Sequence, residues 1–575
     1  MPPAIYDLKR YLPTTKKEMQ LRGWDCADVI LFSGDAYIDH PSCGAAVIGR
    51  VLEDAGYRVA IVPQPDWHGD YRDFSKLGRP RLFFGVTAGA MDSMVNHYTA
   101  ARRKRSDDAF SPDGKAGHRP DYCTVTYCRI LRELFADVPI VIGGIEASMR
   151  RLSHYDYWSD RLMPSILVDS GANLLVYGMG ETAMVEIAQR GVRHDIPQTA
   201  YLCSDTADND ACISDGETIV LHSYEEELKD KRKHAENFRV IETESNKQRA
   251  KRLLQRTGST TVVVNPPYPA MSQAALDHIY DLPYQYLPHP KYKDKRIPAY
   301  EMIRFSVCIH RGCFGGCAFC TISAHQGKQI VSRSKDSILR QIECLRQLPD
   351  WKGYLSDLGG PSANMYGIEG KDKELCARCA RPSCLHPTIC RNLNRDFSRL
   401  LDLYRTVDAL PYIKKSFIGS GIRYDLMDEA YGREVIEKHV SGRLKVAPEH
   451  TSDRVLELMR KPSWEAYLRF RDFFLRVNGE CGLRQQLIPY FISSHPGCTD
   501  KDMQMLADET KKTGYRPEQV QDFTPTPMTL STTMFYTGLN PYTMEKMYVA
   551  RTEQDKRRQN SYFFWWKKDE KTRRL

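Results

Sequence analysis

The sequence predicts an α/β protein: an N-terminal doubly wound parallel sheet, then a second strand–helix alternation of the kind that closes into a partial (β/α) barrel, then a small C-terminal extension. Two observations carry this. From Asp28 to Gly180 short apolar runs alternate with loops and helical periodicity, as in a parallel sheet covered on both faces. From Ile297 to about Cys498 the alternation resumes, and its first strand runs into a loop that gathers three thiols within eight residues. The chain divides accordingly into a sheet domain (1–200), a helical and proline-rich linker (201–296), a barrel core (297–500) with a cysteine-rich insert at 370–392, and the extension (501–575).

Val29-Ile30-Leu31-Phe32 is the first strand. Its loop, residues 33–42, leads to a helix with Ala46, Ile48, Val51 and Leu52 that stops at Gly56. Val59-Ala60-Ile61-Val62 and residues 81–86, 140–144 and 174–178 supply four more strands, with a helix between Val125 and Phe135. Ligands of such sheets sit beyond the carboxyl ends of the strands, where Asp35, Asp39, His40, Gly143, Gly144 and Gly180 fall. Residues 103–120 read as a surface loop and 204–216 as an acidic, polar insert. Ser223-Tyr224-Glu225-Glu226 has the form of a capping box; it opens a charged helix reaching to about Arg256, read as a solvated connector. Thr260 to Asn265 is a short strand, and the proline-rich stretch 266–290 extends over the surface.

In the second half, Phe305-Ser306-Val307 ends in the thiol loop and Ser334 opens a helix with Ile338, Ile342 and Leu345 on one face. Residues 354–358 form the next strand, turning at Gly359-Gly360; residues 417–425, 444–450 and 487–492 follow. Glu449 and His450 fall at the barrel mouth, where strand ends carry catalytic groups, and are the candidate catalytic residues. Residues 524–538 read as a polar, aromatic wrap. The charged tail beyond Arg551, with Tyr562-Phe563-Phe564-Trp565-Trp566, reads as a docked or frayed end rather than a single-strand nucleic-acid platform.

Composition sets bounds. At 575 residues and 66 kDa there is material for about three domains. No run of 18 apolar residues occurs, so no membrane span is expected, and the first residues lack the basic and apolar regions of a secretion signal. Seventeen cysteines in such a chain point to reduced thiols and metal ligation, hence to the cytoplasm. Of the net charge of +9, residues 551–575 alone carry five, so a nucleic-acid footprint on the folded body gains little support.

The loop Arg311-Gly312-Cys313-Phe314-Gly315-Gly316-Cys317-Ala318-Phe319-Cys320 concentrates the chemistry. Cys-x3-Cys-x2-Cys supplies three thiolates and no near fourth, which suits a four-iron cluster with one open iron better than a closed structural zinc site. Its glycines let the backbone wrap an inorganic core and aim N–H groups at its sulfurs. The loop resembles the cluster-binding signature of radical S-adenosylmethionine (SAM) enzymes, with Phe319 as the aromatic residue before the last cysteine. Thr321-Ile322-Ser323 and the stretch from Gly327 through Ser332-Arg333-Ser334 resemble the methylthiotransferase branch, and the run from Phe305 through Cys317 is similar to the YgiQ-type family.

That resemblance implies a radical SAM core. Cys313, Cys317 and Cys320 would hold a 4Fe-4S cluster whose fourth iron takes the amino and carboxylate groups of SAM. Gly359 and Gly360 would set carbonyls against the SAM amino group, with Pro361 in place of the acidic residue common there. Ser420 and Arg423 would approach the ribose and carboxylate, and residues 487–497 would close the adenine side. The implied activity is reductive cleavage of SAM to a deoxyadenosyl radical that acts on an unassigned substrate, with an electron donor such as flavodoxin or ferredoxin. An iron–sulfur electron-transfer or sensing protein, and an RNA-modifying enzyme of the methylthiotransferase kind, are the rival readings; the small RNA-binding barrel of the latter is not evident.

The N-terminal half resembles the cobalamin-binding domain that precedes many radical SAM modules, notably at residues 141–148 and 176–181. Asp39-His40-Pro41-Ser42-Cys43-Gly44 departs from the Asp-x-His-x-x-Gly element, so corrinoid binding stands beside a scaffold or substrate-binding role. A second group, Cys376, Cys379, Cys384 and Cys390, supplies four thiolates within fifteen residues and fits zinc or an auxiliary iron–sulfur cluster. Cys26, Cys43, Cys123, Cys128, Cys203, Cys212, Cys308, Cys344, Cys481 and Cys498 read as ordinary thiols.

Overall fold

A computed structural model describes residues 7–204 and 217–567. It forms two compact units, one of residues 1–230, 247–304 and 343–348, the other of residues 231–246, 305–342 and 349–575. The first is built on a nine-stranded sheet: β1 Val29–Ser33, β2 Val59–Pro63, β3 Phe83–Thr87, β4 Ile140–Gly143, β5 Leu174–Val176, β6 Thr199–Ser204, β7 Thr218–Val220, β8 Arg252–Thr257 and β9 Thr260–Val264, in the order 2-1-3-4-5-6-9-8-7.

Strands β1 to β5 are parallel, with Val29 opposite both Val59 and Phe83, Phe84 opposite Ile140 and Val141 opposite Leu174. Every residue of β1, β2 and β5 is buried, which is why these strands are continuous apolar runs. The order 2-1-3-4-5 is a doubly wound arrangement, as expected. Beyond it, β6, β9 and β8 continue the sheet antiparallel. The sequence reading assigned most of residues 201–264 to a linker, because β8 (Arg-Leu-Leu-Gln-Arg-Thr) interrupts its apolar run. Gln255 is tolerated inside because it exchanges hydrogen bonds with Ser153, accepting from its N–H at 2.9 Å and donating to its Oγ at 2.7 Å.

Three other local expectations change. The capping box is present, but it opens only the short helix Tyr224–Lys229; the next helix, Lys231–Ser245, ends well before Arg256 and is not solvated, burying Ala235, Phe238 and Ile241 within the second unit. Residues 266–290 do not run over the surface: they contain the helix Gln273–Asp281, and Leu287–Pro288 pairs antiparallel with Ile38–Asp39. Residues 103–120 turn inward past Asp107, so that Arg119 is buried between Asp35 at 3.0 Å and Asp108 at 3.2 Å. Most of the 204–216 insert, with Cys212, lies outside the described residues.

The loop after β1 is locked by its own polar groups. Asp39 pairs with the buried Arg50 and accepts from Tyr37 Oη at 3.2 Å. His40 is fully buried, accepts from Ser42 N at 3.0 Å, and meets the Tyr286 ring edge-on. His40 therefore serves the loop. Nearby, burial pushes the Glu18 carboxyl up, but His289 and the Thr14 N–H outweigh it and hold it at about 2, against an ordinary 4.5. A depressed carboxyl contributes stability that is complete above 4.5 and is lost as pH falls toward 2. We expect Glu18→Gln to remove part of the acid sensitivity in that window, checked by urea unfolding of both chains at pH 5 and pH 3; equal slopes would count against it.

In the second unit the strands follow one another in chain order: β10 Ser306–Cys308, β11 Tyr354–Leu355, β12 Asp357–Gly359, β13 Lys415–Ser416, β14 Arg443–Glu449, β15 Gln486–Ser493 and β16 Gln519–Asp522. Each ladder is parallel: β10 with β12, β11 with β13, β14 with β15 and β15 with β16. Ile418 N donates to His439 O at 3.0 Å between β13 and β14. This is the expected partial barrel. Its C-terminal cover includes the helices Leu530–Thr537 and Glu553–Ser561; Gln559 bonds to Ser494 N and Cys498 O, so the tail is docked at least to Phe563, which is fully buried. Among the described residues no helix is long and apolar enough to cross a membrane.

Candidate cofactor site

The thiol loop leaves β10 through His310–Arg311, which pairs antiparallel with Val331–Ser332. Two glycines are required to close it. Gly312 has φ +88°, and a Cβ there would lie 2.0 Å from Gln329 O; Gly316 has φ +60°, and a Cβ would lie 2.3 Å from Pro382 O. Cys313 N donates to Gly327 O at 3.1 Å and Cys320 N to Cys317 O at 3.1 Å. Between the last two cysteines Ala318 is an anchor: its N–H meets Met459 O at 3.0 Å, its carbonyl accepts from Ser531 N at 2.9 Å, and its methyl group packs with Phe238, Leu530 and Met534.

All three cysteines are half-buried free thiols. Burial and then the neighbouring Cys317 push the Cys313 thiol up, and the same causes push Cys320 to about 12. Thiols crowded in this way keep their protons until a cation arrives, so loading the loop releases protons. Among the described residues no three Cys, His, Asp or Glu converge on a single ion.

Arg423 links the thiols to the space beside them. Its Nη1 stands 3.6 Å from Cys317 Sγ, and its Nε and Nη2 grip Asp425 at 2.9 and 2.7 Å. Its backbone exchanges two 2.8 Å hydrogen bonds with the Asn364 side chain, which fixes the chain direction here. Burial raises the Asp425 carboxyl, but Arg423 outweighs it and leaves it below the usual range. Arg423, Tyr424, Asp425, Arg460, Lys461 and Phe470, with residues 385–389 of the cysteine insert, line a cavity of about 950 Å³.

The other predicted residues fall as follows. Gly359 and Gly360 end β12; a Cβ on Gly359 would lie 2.0 Å from Ser420 Oγ, and one on Gly360 2.5 Å from the buried His310 ring. Ser420 is held through Asp357 Oδ1, which accepts from Gly419 N at 2.8 Å, Ser420 N at 3.1 Å and Ser420 Oγ at 3.0 Å. Only Lys415–Ser416 of that region is a regular strand; residues 417–423 continue from it as irregular chain, with a turn at 424–426. Glu449 is buried at a register shift of β14 with φ +70°, and its carboxyl is raised by burial against the pull of Lys461, 3.7 Å away. His450 is fully buried, with one ring nitrogen accepting from Ser452 N at 3.0 Å and the other 3.5 Å from Cys498 Sγ; it faces the interior and not the cavity. Asp357, Asn364 and Lys461 were not predicted: their partners Ser420, Arg423 and Glu449 lie elsewhere in the chain and carry no spacing signal; Asp425, two residues beyond Arg423, fell within the expected strand 417–425 without being singled out.

A family profile described as Radical SAM N-terminal matches residues 11–306, and a domain of unknown function (DUF3362) matches residues 518–571. The UPF0313 protein of Bacteroides thetaiotaomicron is 61% identical over 581 aligned residues, covering 96% of this chain and 93% of that one. The UPF0313 protein of Porphyromonas gingivalis is 59% identical, covering 96% and 90%, and that of Methanocella arvoryzae 50% identical, covering 94% and 91%. The chain belongs to the UPF0313 family. This is the YgiQ-type relationship its sequence suggested, and the profile match makes this UPF0313 chain a radical SAM enzyme. Among solved structures it is similar to the radical SAM methyltransferase TsrM of Kitasatospora setae, in one case with tryptophan substrate and a SAM analog bound (14% identity, 86% of this chain and 72% of that one, TM-score 0.46) and in another with cobalamin and a [4Fe-4S] cluster bound (13%, 87% and 77%, TM-score 0.47).

Proposed function

We propose that the second unit holds a 4Fe-4S cluster through Cys313, Cys317 and Cys320, binds SAM beside it, and cleaves SAM reductively to act on a substrate seated in the 950 Å³ cavity. The observation that carries this reading is Arg423, whose Nη1 stands 3.6 Å from Cys317 Sγ while it and the Asp425 it grips line the cavity wall. A cluster bound here supplies one electron to the sulfonium of SAM, and the product of that cleavage is a deoxyadenosyl radical. The protein's own groups do the positioning. The close-packed Gly359–Gly360 turn lets backbone approach a ligand without side chains in the way, and Asp357 holds Ser420 against it. Asp425 orients Arg423, and Glu449 orients Lys461, whose ammonium lies within electrostatic range of Cys313 and Cys320.

The sixteen described cysteines are all free thiols, which supports a reducing compartment, the cytoplasm, and an electron carrier of the flavodoxin or ferredoxin class as partner. The test is anaerobic reconstitution of the full chain, addition of dithionite and SAM, and measurement of 5′-deoxyadenosine and methionine. Both products are expected in equal amounts. A chain carrying its full complement of iron that yields neither would overturn the reading and favour an electron-transfer or sensing role.

A further inference from the structure

Cys376, Cys379, Cys384 and Cys390 take no part in the site above. They lie in the insert 370–392 as free thiols, within electrostatic reach of one another and of Lys328. The backbone closes on the first of them: a Cβ at Gly370 would lie 2.2 Å from Cys376 Sγ. Asn392 Nδ2 donates to the same sulfur at 3.3 Å while bonding Asp372 O at 2.8 Å.

Lys328 supplies an independent observation. It is 6% exposed, donates to Arg381 O at 2.7 Å and stands 3.9 Å from Cys379 Sγ, and among the described residues no carboxylate lies within ion-pair distance of it. A buried ammonium without a counter-charge is costly, and thiolates at these four cysteines would supply one. The insert is also fastened to the first thiol loop: Ser383 Oγ donates to Gly315 O at 2.7 Å and Cys384 N to Phe314 O at 3.0 Å.

Zinc would draw four sulfurs to about 2.3 Å from one point. The insert's two hydrogen bonds to the Cys313–Cys320 loop set these thiols beside the proposed reducing centre, where a metal that passes electrons has a use and zinc, which has no redox chemistry, has none. A cube offers each thiolate its own iron corner. We infer that Cys376, Cys379, Cys384 and Cys390 ligate a second iron–sulfur cluster of the 4Fe-4S type, with Lys328 as its charge-balancing neighbour. On assembly from two ferrous ions, two ferric ions and four sulfides, which together make the 2+ core with no further oxidant, each thiol releases its proton to solvent and forms one iron–sulfur bond. The bound cluster fixes residues 385–389, so it also sets one wall of the substrate cavity. The four ligands stand on their own residues; the choice of iron over zinc and the bearing on the substrate rest on the function proposed above.

The experiment uses the full chain carrying Cys313→Ala, Cys317→Ala and Cys320→Ala together, reconstituted anaerobically with equal amounts of ferrous and ferric iron and with sulfide. About four irons and four sulfides per chain are expected to remain, with a Mössbauer spectrum of a 4Fe-4S cluster and negligible zinc. One zinc per chain in place of iron, or no retained iron, would overturn the assignment, while SAM cleavage by the unaltered chain is read separately. In the same background Lys328→Met is expected to shift the reduction potential of the retained cluster downward in an EPR-monitored titration, because removing a positive charge disfavours the reduced state. An unchanged potential would remove Lys328 from the site.

Discussion

A Cys317→Ala chain is expected to lose about four irons per molecule after reconstitution and to produce no 5′-deoxyadenosine above the level of a chain left without iron. With one of three thiolates gone, a cube keeps only two protein corners. The fold is expected to persist, because the loop is pinned elsewhere, through Ala318 to Met459 and Ser531 and through Cys313 N to Gly327 O. Iron analysis paired with circular dichroism checks both statements. Full iron retention would show that these thiols are not the cluster's ligands.

Arg423→Ala is expected to destabilise the second unit by about 3–5 kcal/mol, the usual cost of leaving one member of a buried ion pair without its partner. Asp425 would be left as a largely buried carboxylate without its guanidinium, and its protonation would only partly relieve the penalty. The loss of cation density next to Cys317 is expected to weaken cluster retention as well. Arg423→Lys keeps the charge but not the two-pronged grip, and should recover less than half of the stability. Thermal unfolding of the three chains, with iron content measured in parallel, tests this; an Arg423→Ala chain that unfolds with the parent would place Asp425 in contact with water.

What the sequence disclosed follows from how local each signal is. The five parallel strands were legible because a strand covered on both faces needs an unbroken apolar run, as in Val29–Ser33 and Val59–Pro63. Arg252–Thr257 was not, since its glutamine is paid for by Ser153, about a hundred positions away. The three cysteines and two glycine pairs of the cofactor region were visible as spacing. Arg423 was visible only through resemblance, and Asp425, two residues beyond it, was not singled out; Asn364 acquires meaning only when folding brings it to Arg423, and Lys461 only where it lines the same cavity. The position of His450 at a strand end was legible, but not its direction, because a register shift at Glu449 turns the chain and sends the imidazole inward.

The helix Lys231–Ser245 belongs to the second unit although its flanking residues belong to the first, and it gives Phe238 to the packing around Ala318 and Glu242 to the bidentate grip on Arg460. The two halves of this protein are thus not separable cassettes. A gene fragment beginning at the cysteine-bearing barrel would encode all seven candidate ligand thiols and still lack a piece of the scaffold beneath them, so a cut between the two halves has no clean seam here.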